Sequence, residues 1–409
     1  MARGRRHPVA ILLTAAPHPT TIVRVLYINP WSQEISGPDE SLRTLLAALI
    51  PMGVEAHVVI PELGPQVDRY QALGVRVHYA PIAVIKRRLG PWKTAHLPAT
   101  FISGVRRIMD IAREVRADLI HSNMEVMFEG GVAARLMSLP HVMHYRGNTL
   151  DEPQWVFDAL VRLWNVSADH IYCISRGTAR VFERRHRAGK VEVMYNPVDL
   201  DRFRATPRSD EVRASLGAAP GQPLIGTVGR IHPRKDLDTF VRMAAAVAEK
   251  VPDARFAIVG TTKVKVEEDY LEHIQDLIRT LGLESRTTLP GARRDIASVM
   301  RALDLYVNAS LHEGFGRVIA EAMAVGCPVV VGNSGAPPEL VEAGRYGLLA
   351  GSGDPADFAA QALRILSSPS EAADYSARSL ERSRLFDARD VAARVHQRYE
   401  ALAAPARRG

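Results

Sequence analysis

The segment Ser310-Leu-His-Glu-Gly-Phe-Gly-Arg-Val-Ile-Ala-Glu321 carries two carboxylates, Glu313 and Glu321, with seven residues between them and a turn containing Gly314 and Gly316. An apolar run that ends near Asn308 reads as a strand, and an amphipathic pattern from Arg317 onward reads as a helix. A turn of this kind leaves the first N–H groups of the helix without partners, at the positive end of its dipole, which suits an anion such as a pyrophosphate. Gly314 and Gly316 let the backbone approach that anion with no side chain in the way. Glu313 at the tip and Glu321 more than a turn inside the helix would flank it, one toward a sugar and one toward a ribose diol. The same pattern also fits a capped helix with two solvated glutamates.

A second cluster, Gly229-Arg-Ile-His-Pro-Arg-Lys235, follows an apolar strand pattern at 224–228 and opens another helix. Arg230 and Lys235 are fixed cations on a strand-to-helix loop, where a departing diphosphate needs its charge neutralised. Taken alone, the loop is equally a basic surface. Two loops that leave parallel strands at the same end of one sheet can converge on one ligand. No Asp-x-Asp pair stands ready to hold a metal beside them, so the cations are expected to take that place and no metal cofactor is expected.

These loops need a scaffold, and the hydrophobic pattern supplies one. Short apolar runs at 22–28, 57–60, 75–79, 118–121, 141–145, 170–174 and 191–195 alternate with amphipathic runs such as 40–49, 101–116 and 132–138. Strands of that kind joined by helices imply an α/β chain with a parallel sheet covered on both faces. Asn196-Pro-Val-Asp199 breaks the alternation and 202–221 is polar, after which it restarts with strands at 224–228, 256–259, 305–307 and 328–331. The organisation expected is an extension over 1–21, one doubly wound domain over 22–200, a second over 201–386, and a helix and tail over 387–409, with ligand in the cleft between facing strand ends.

With 409 residues, 47% hydrophobic and 24% charged, the chain can bury full cores, so disorder is excluded for its body. Cys173 and Cys327 stand apart with no metal-ligand spacing and read as buried thiols, in keeping with a reducing, cytoplasmic setting. The net charge of +7 comes with only 6% aromatics and with no zinc-ligand spacing or aromatic RNA-binding signature, so nucleic acid is not the partner expected. The basic start followed by 8–16 imitates a short export signal, but the run is short and opens on Pro8. No stretch approaches the roughly 18 to 20 apolar residues of a membrane span. Lys86, Arg87, Arg88, Lys93, Arg106 and Arg107 cluster around Trp92 and Phe101. That run reads either as a solvated face or as a docking surface for an anionic membrane or an anionic acceptor.

Together the two motifs resemble the retaining glycosyltransferases of family 4, which have the GT-B fold of two Rossmann-like domains. The resemblance runs from Val23 to Leu402 and includes Asn196-Pro-Val-Asp199 with Phe203 at the hinge and Pro328-Val-Val after the glutamate helix. It implies that Glu313 contacts the donor sugar, Glu321 the ribose, and Arg230 and Lys235 the diphosphate. Gly229, Gly314, Phe315, Gly316 and Gly37 would line the donor, and the C-terminal helix would cross back to the first domain. His144-Tyr-Arg-Gly147 resembles the family's histidine segment facing the cleft, which makes His144 a donor- or acceptor-positioning residue and Arg146 a second candidate on the acceptor side; a histidine satisfied at a strand end is the alternative, and His121 is a weaker candidate. Two departures stand out: Asp236 follows Lys235 where the family often has glycine, and Ser36-Gly37-Pro38 replaces Ser-Gly-Gly.

The function implied is transfer of a sugar, with retention, from a nucleoside-diphosphate sugar to an acceptor that is a saccharide, a lipid-linked compound or a small molecule, in polysaccharide, glycolipid or cell-envelope synthesis. A non-catalytic nucleotide-sugar-binding protein of the same fold is the alternative. A dinucleotide-dependent oxidoreductase would show a G-x-G-x-x-G turn after the first strand, where this chain has Asn29-Pro-Trp-Ser32.

Overall fold

The computed structural model describes residues 22–33, 36–84, 91–147, 154–183 and 189–406, with side chains described throughout except at 91–95 and 405–406. Among the described residues thirteen strands form two sheets whose pairings are all parallel. The first holds β1 (Val23–Ile28), β2 (Val54–Ile60), β3 (Arg76–Tyr79), β4 (Leu119–Ser122), β5 (His141–Tyr145), β6 (His170–Cys173) and β7 (Val191–Val193), in the order 3-2-1-4-5-6-7. The second holds β8 (Leu224–Val228), β9 (Arg255–Val259), β10 (Thr287–Gly291), β11 (Leu305–Asn308), β12 (Val329–Gly332) and β13 (Leu348–Ala350), in the order 10-9-8-11-12-13. Both sheets reverse direction beside their first strand, and an open α/β sheet places its ligand crevice at such a switch point.

Burial explains why the strands were legible. Central strands β1, β4, β5, β6, β11 and β12 are covered on both faces, so most side chains on them are apolar and the polar ones, such as His121 and His144, are buried. The sequence pattern overlooks β10 and β13: the first is a half-exposed edge strand reading Thr-Thr-Leu-Pro-Gly, and the second has three residues. The polar run 202–221 also carries structure, for Phe203, Leu216 and Ala218 sit in the second domain's core. Residues 1–21, Lys86, Arg87 and Arg88 fall outside the described residues, as do the side chains of Trp92 and Lys93. Arg106 and Arg107 are exposed on the helix Pro91–Glu114. Among the described residues no helix is long and apolar enough to cross a membrane, and both cysteines are buried free thiols.

The chain passes between the domains twice, and the two passages lie side by side. Val198 N donates to Phe386 O at 2.7 Å and Ala388 N to Val198 O at 3.0 Å. The rings of Tyr195, Phe315 and Phe386 pack together beside them, with centroids 5.5–5.8 Å apart. The last helix, Ala388–Ala406, then returns to the first domain as expected and buries Val391, Val395, Tyr399 and Ala403 against the first helix (Gly37–Leu49) and the sheet.

Under that helix lies a buried imidazole chain. Tyr399 Oη meets His121 Nδ1, and His121 Nε2 meets His144 Nδ1 at 2.7 Å, with the two rings stacked 4.8 Å apart. Burial holds nearby His141 at about 4 and pushes His121 and His144 well below their ordinary 6.5. A histidine with a depressed folded pKa stays neutral while the unfolded chain takes up its proton. It therefore contributes stability above pH 6.5 that is lost as the pH falls below that value. Urea unfolding is expected to show stability dropping between about pH 7 and about pH 5, with a smaller drop in His144→Gln; equal drops in both proteins would remove the imidazole chain from this account.

Candidate functional site

The two chemically promising loops do converge. Leu311 N donates to Arg234 O at 3.0 Å, tying the loop after β11 to the loop after β8. Lys235 Nζ is ion-paired with Glu313 Oε1, which also accepts from Ser310 Oγ at 3.1 Å. Neither charge is fully solvated: the side chains are 26% and 15% exposed. Arg230 Nε pairs at 2.5 Å with Glu267 Oε1, and the Glu267 side chain is wholly buried. The other Glu267 oxygen accepts from Lys263 N at 2.7 Å. Both cations are thus positioned by carboxylates from other elements before any ligand arrives.

Asp236, the departure after Lys235, has φ 48° and ψ 54°. The site needs a left-handed residue, which explains a glycine preference, and a short polar side chain can meet the same need. Asp236 also caps the helix Leu237–Lys250, its carboxylate accepting from Thr239 Oγ1 at 2.7 Å. On the glutamate loop, Gly316 takes φ 89° as the cap of the helix Arg317–Ala324, with no side chain closing the helix start. Gly314 lies against the first domain: a Cβ there would come 2.9 Å from Arg146 O. Phe315 turns its ring into the aromatic cluster of the hinge and is 2% exposed, so a ligand can meet only its backbone.

Glu321 is nearly buried and is not a solvated carboxylate; Arg317 Nε donates to it at 2.7 Å. Arg317 also reaches across to Glu40 Oε1 of the first domain, at 3.9 Å. Burial pushes Glu40 up, but Arg43, Arg317 and Arg69 outweigh it and bring its carboxyl down to about 2. Arg317 was not singled out from the sequence, although its spacing of four from Glu321 is a readable helix pair.

A cavity of about 770 Å³ opens between the domains at the carboxyl ends of β1, β2, β8, β9 and β10. Gly37, Ser36 and Asp39 line it from one side, and Gly229, Arg230, Gly260 and Thr261 from the other. Lys235 stands behind Gly229, where a Cβ would lie 3.6 Å from its Cε. Pro38 occupies the first turn of its helix, as its fixed φ allows. Asp39 Oδ2 accepts from Ser36 N at 2.8 Å, and Asp39 Oδ1 from Asn29 Nδ2 at 2.7 Å. Burial still leaves the Asp39 carboxyl above its ordinary range.

On the acceptor side, His144 and Arg146 are both buried. His144 is 4% exposed with Nδ1 taken by His121, because β5 is covered on both faces. Arg146, one residue beyond β5, is the group brought to the domain junction. Its guanidinium is held by Asn123 O at 2.8 Å, Asn123 Oδ1 at 2.6 Å and Asn196 Oδ1 at 2.8 Å, and its own N–H donates to Glu125 Oε2 at 3.0 Å. Burial lowers it to about 10, which leaves it charged at neutral pH. His121 is buried in the same chain of rings. Among the described residues no group of three or more His, Cys, Asp or Glu could hold a metal ion.

Comparison with known proteins agrees with this geometry. A model described as Glycosyltransferase Family 4 matches residues 35–202, and one described as Glycosyl transferases group 1 matches residues 222–368. The D-inositol 3-phosphate glycosyltransferase 2 of Catenulispora acidiphila is 29% identical over 88% of this chain and 88% of its own length. The GDP-mannose-dependent alpha-mannosyltransferase of Mycobacterium tuberculosis is 29% identical over 77% of this chain and 80% of its own. Anabaena HepE, solved with UDP and glucose, superposes with a TM-score of 0.78 at 24% identity, covering 93% of this chain and all of that one. Sucrose-phosphate synthase from Thermosynechococcus elongatus superposes at 0.73 with 20% identity, over 94% and 100%.

If the paired cations stabilise a departing diphosphate, Lys235→Ala and Arg230→Ala should each lower kcat/KM by about 2–4 kcal/mol in transition-state terms. Steady-state kinetics with a fixed donor reads this directly, and near-wild-type values in both variants would refute the assignment.

Proposed function

The chain belongs to the group 1 and family 4 glycosyltransferases, and from that premise we propose that it transfers a sugar from a nucleoside-diphosphate sugar to an acceptor hydroxyl with retention of anomeric configuration. The observation that carries the proposal is the Lys235–Glu313 ion pair, set beside the open start of the helix Arg317–Ala324. Those groups form a pre-built anion site next to a carboxylate. The diphosphate would lie against the helix N–H groups with Arg230 and Lys235 around it, and Glu313 would face the sugar. Glu321, oriented by Arg317, would accept from the ribose.

In the step proposed, the acceptor oxygen forms its bond to the anomeric carbon on the face from which the diphosphate leaves. The bond from that carbon to the diphosphate oxygen breaks, and the leaving oxygen takes up the acceptor proton. No separate protein base is then needed, which suits a site where His144 is buried and partnered. Arg146 closes the acceptor side through its contact with the Gly314 turn. The buried thiols suit work in a reducing compartment, the cytoplasm.

A relative named for GDP-mannose and a structural neighbour held with UDP and glucose make GDP- and UDP-sugars the first donors to test. A matching donor should raise the melting temperature by mass action and be slowly hydrolysed, with the first-formed sugar keeping the donor's anomeric configuration by NMR. A donor that stabilises but is never turned over would favour the binding-protein alternative, and an inverted product would refute retention.

The cation pair also implies metal independence. Activity is expected to persist in excess EDTA, since a magnesium site needs carboxylates that this site commits to Lys235, Arg230 and Arg317. Loss in chelator with recovery on adding Mg²⁺ or Mn²⁺ would overturn that part.

A further inference from the structure

The helix Gln154–Ser167 is apolar on both sides, which a helix at the surface of a water-soluble domain does not need to be. Its inner face buries Val161 and Trp164 against β5 and β6. Its outer face carries Trp155, Leu163 and Val166, which are 74%, 48% and 65% exposed. At about 100° per residue, Trp155, Arg162, Leu163 and Val166 fall within an arc of roughly 100°, so they form one stripe and are not scattered. The neighbouring helix Glu129–Met137 extends it. Arg135 Nη2 donates to Val166 O at 2.6 Å, and the next residue, Leu136, is 65% exposed. Four large apolar groups and two arginines therefore share one surface of the first domain. Asp158, one turn before Arg162, accepts from Gln154 Nε2.

We propose that this stripe docks the enzyme on an anionic lipid surface, with Trp155, Leu163, Val166 and Leu136 entering the headgroup boundary and Arg162 and Arg135 meeting lipid phosphates. The charge argues for lipid over a second copy of the chain. Two copies would bring together the two arginines and one aspartate, Asp158, of each, an excess of like charge, whereas an anionic leaflet attracts the arginines. The stripe's residues differ from those of the basic run 86–107, whose helix Pro91–Glu114 packs against the helix Glu129–Met137. Its position also suits the reaction. The helix starts at the carboxyl end of the sheet, which is the cleft end, so docking along it sets the cleft mouth beside the headgroups and gives access to a membrane-borne acceptor.

The test is co-sedimentation of the full chain with phosphatidylcholine vesicles, with and without phosphatidylglycerol, across a salt series. Expected is salt-sensitive binding to the anionic vesicles only, weakened about tenfold in L163S/V166S and weakened also in Arg162→Gln, with unchanged melting temperature and unchanged donor hydrolysis. Brominated acyl chains should quench the emission of the wild type and not that of Trp155→Phe. Undiminished binding of L163S/V166S would overturn the proposal, as would quenching that survives Trp155→Phe, since another tryptophan would then be the one inserted. A lipid-independent dimer by light scattering, abolished by L163S/V166S, would assign the stripe to self-association and equally overturn it.

Discussion

The contact between Lys235 and Glu313 joins two loops that follow different strands of one sheet, and the rest of the cleft is arranged around it. Both groups are largely withdrawn from water, and a buried charge without a partner is costly. Each charge therefore holds the other in place until a ligand competes for them. On the function proposed above, a diphosphate would take over Lys235 without new desolvation of the lysine, and Glu313 would then be released toward the sugar it carries. Arg230 with Glu267, and Glu321 with Arg317, repeat the arrangement at a short distance. The site is built from preorganised ion pairs, which is how a protein keeps fixed charges ready for a charge that develops only during reaction.

Those pairs are useful only if the two domains meet in a defined way, and three contacts set the meeting. Gly314 has no side chain where the Arg146 carbonyl approaches. Arg317 reaches from Glu321 to Glu40. Glu339 accepts from Arg176 N at 2.9 Å and from Tyr195 Oη at 2.7 Å, so a second-domain carboxylate grips both a loop of the first domain and the hinge. All three are polar or small-residue contacts and not a broad apolar interface.

The two departures from the family pattern show how local chemistry tolerates substitution. Asp236 meets the left-handed backbone requirement of its position and adds a helix cap that glycine lacks. Pro38 is accommodated because the first helical turn needs no N–H there, and Asp39 supplies the cap interactions. Arg146 and His144 are the contrary case. Two residues apart on the same segment, they differ in fate because one lies within a doubly covered strand and the other just past its end.

The amino-acid sequence by itself determined the two doubly wound domains and the strand-to-helix loops bearing Arg230, Lys235, Glu313 and Glu321, whereas the return of the terminal helix was implied only by the family resemblance. Local signals suffice for these: a strand covered on both faces must be apolar, and a loop that opens a helix beside glycines is visible in one window of residues. It did not determine β10, whose half-exposed edge position leaves no apolar run, or β13, whose apolar run of three residues is too short to stand out. Nor did it determine which carboxylate holds which cation. Glu267 anchors Arg230 across 37 positions, and Glu313 meets Lys235 across 78. Partner choice at such separations depends on how the sheets stack their loops, and the chain carries no local mark of it. The burial of His144 and the outward turn of Trp155 were likewise decided by tertiary packing, because the same residue type reads identically in a window whether its side chain faces a neighbouring helix or solvent.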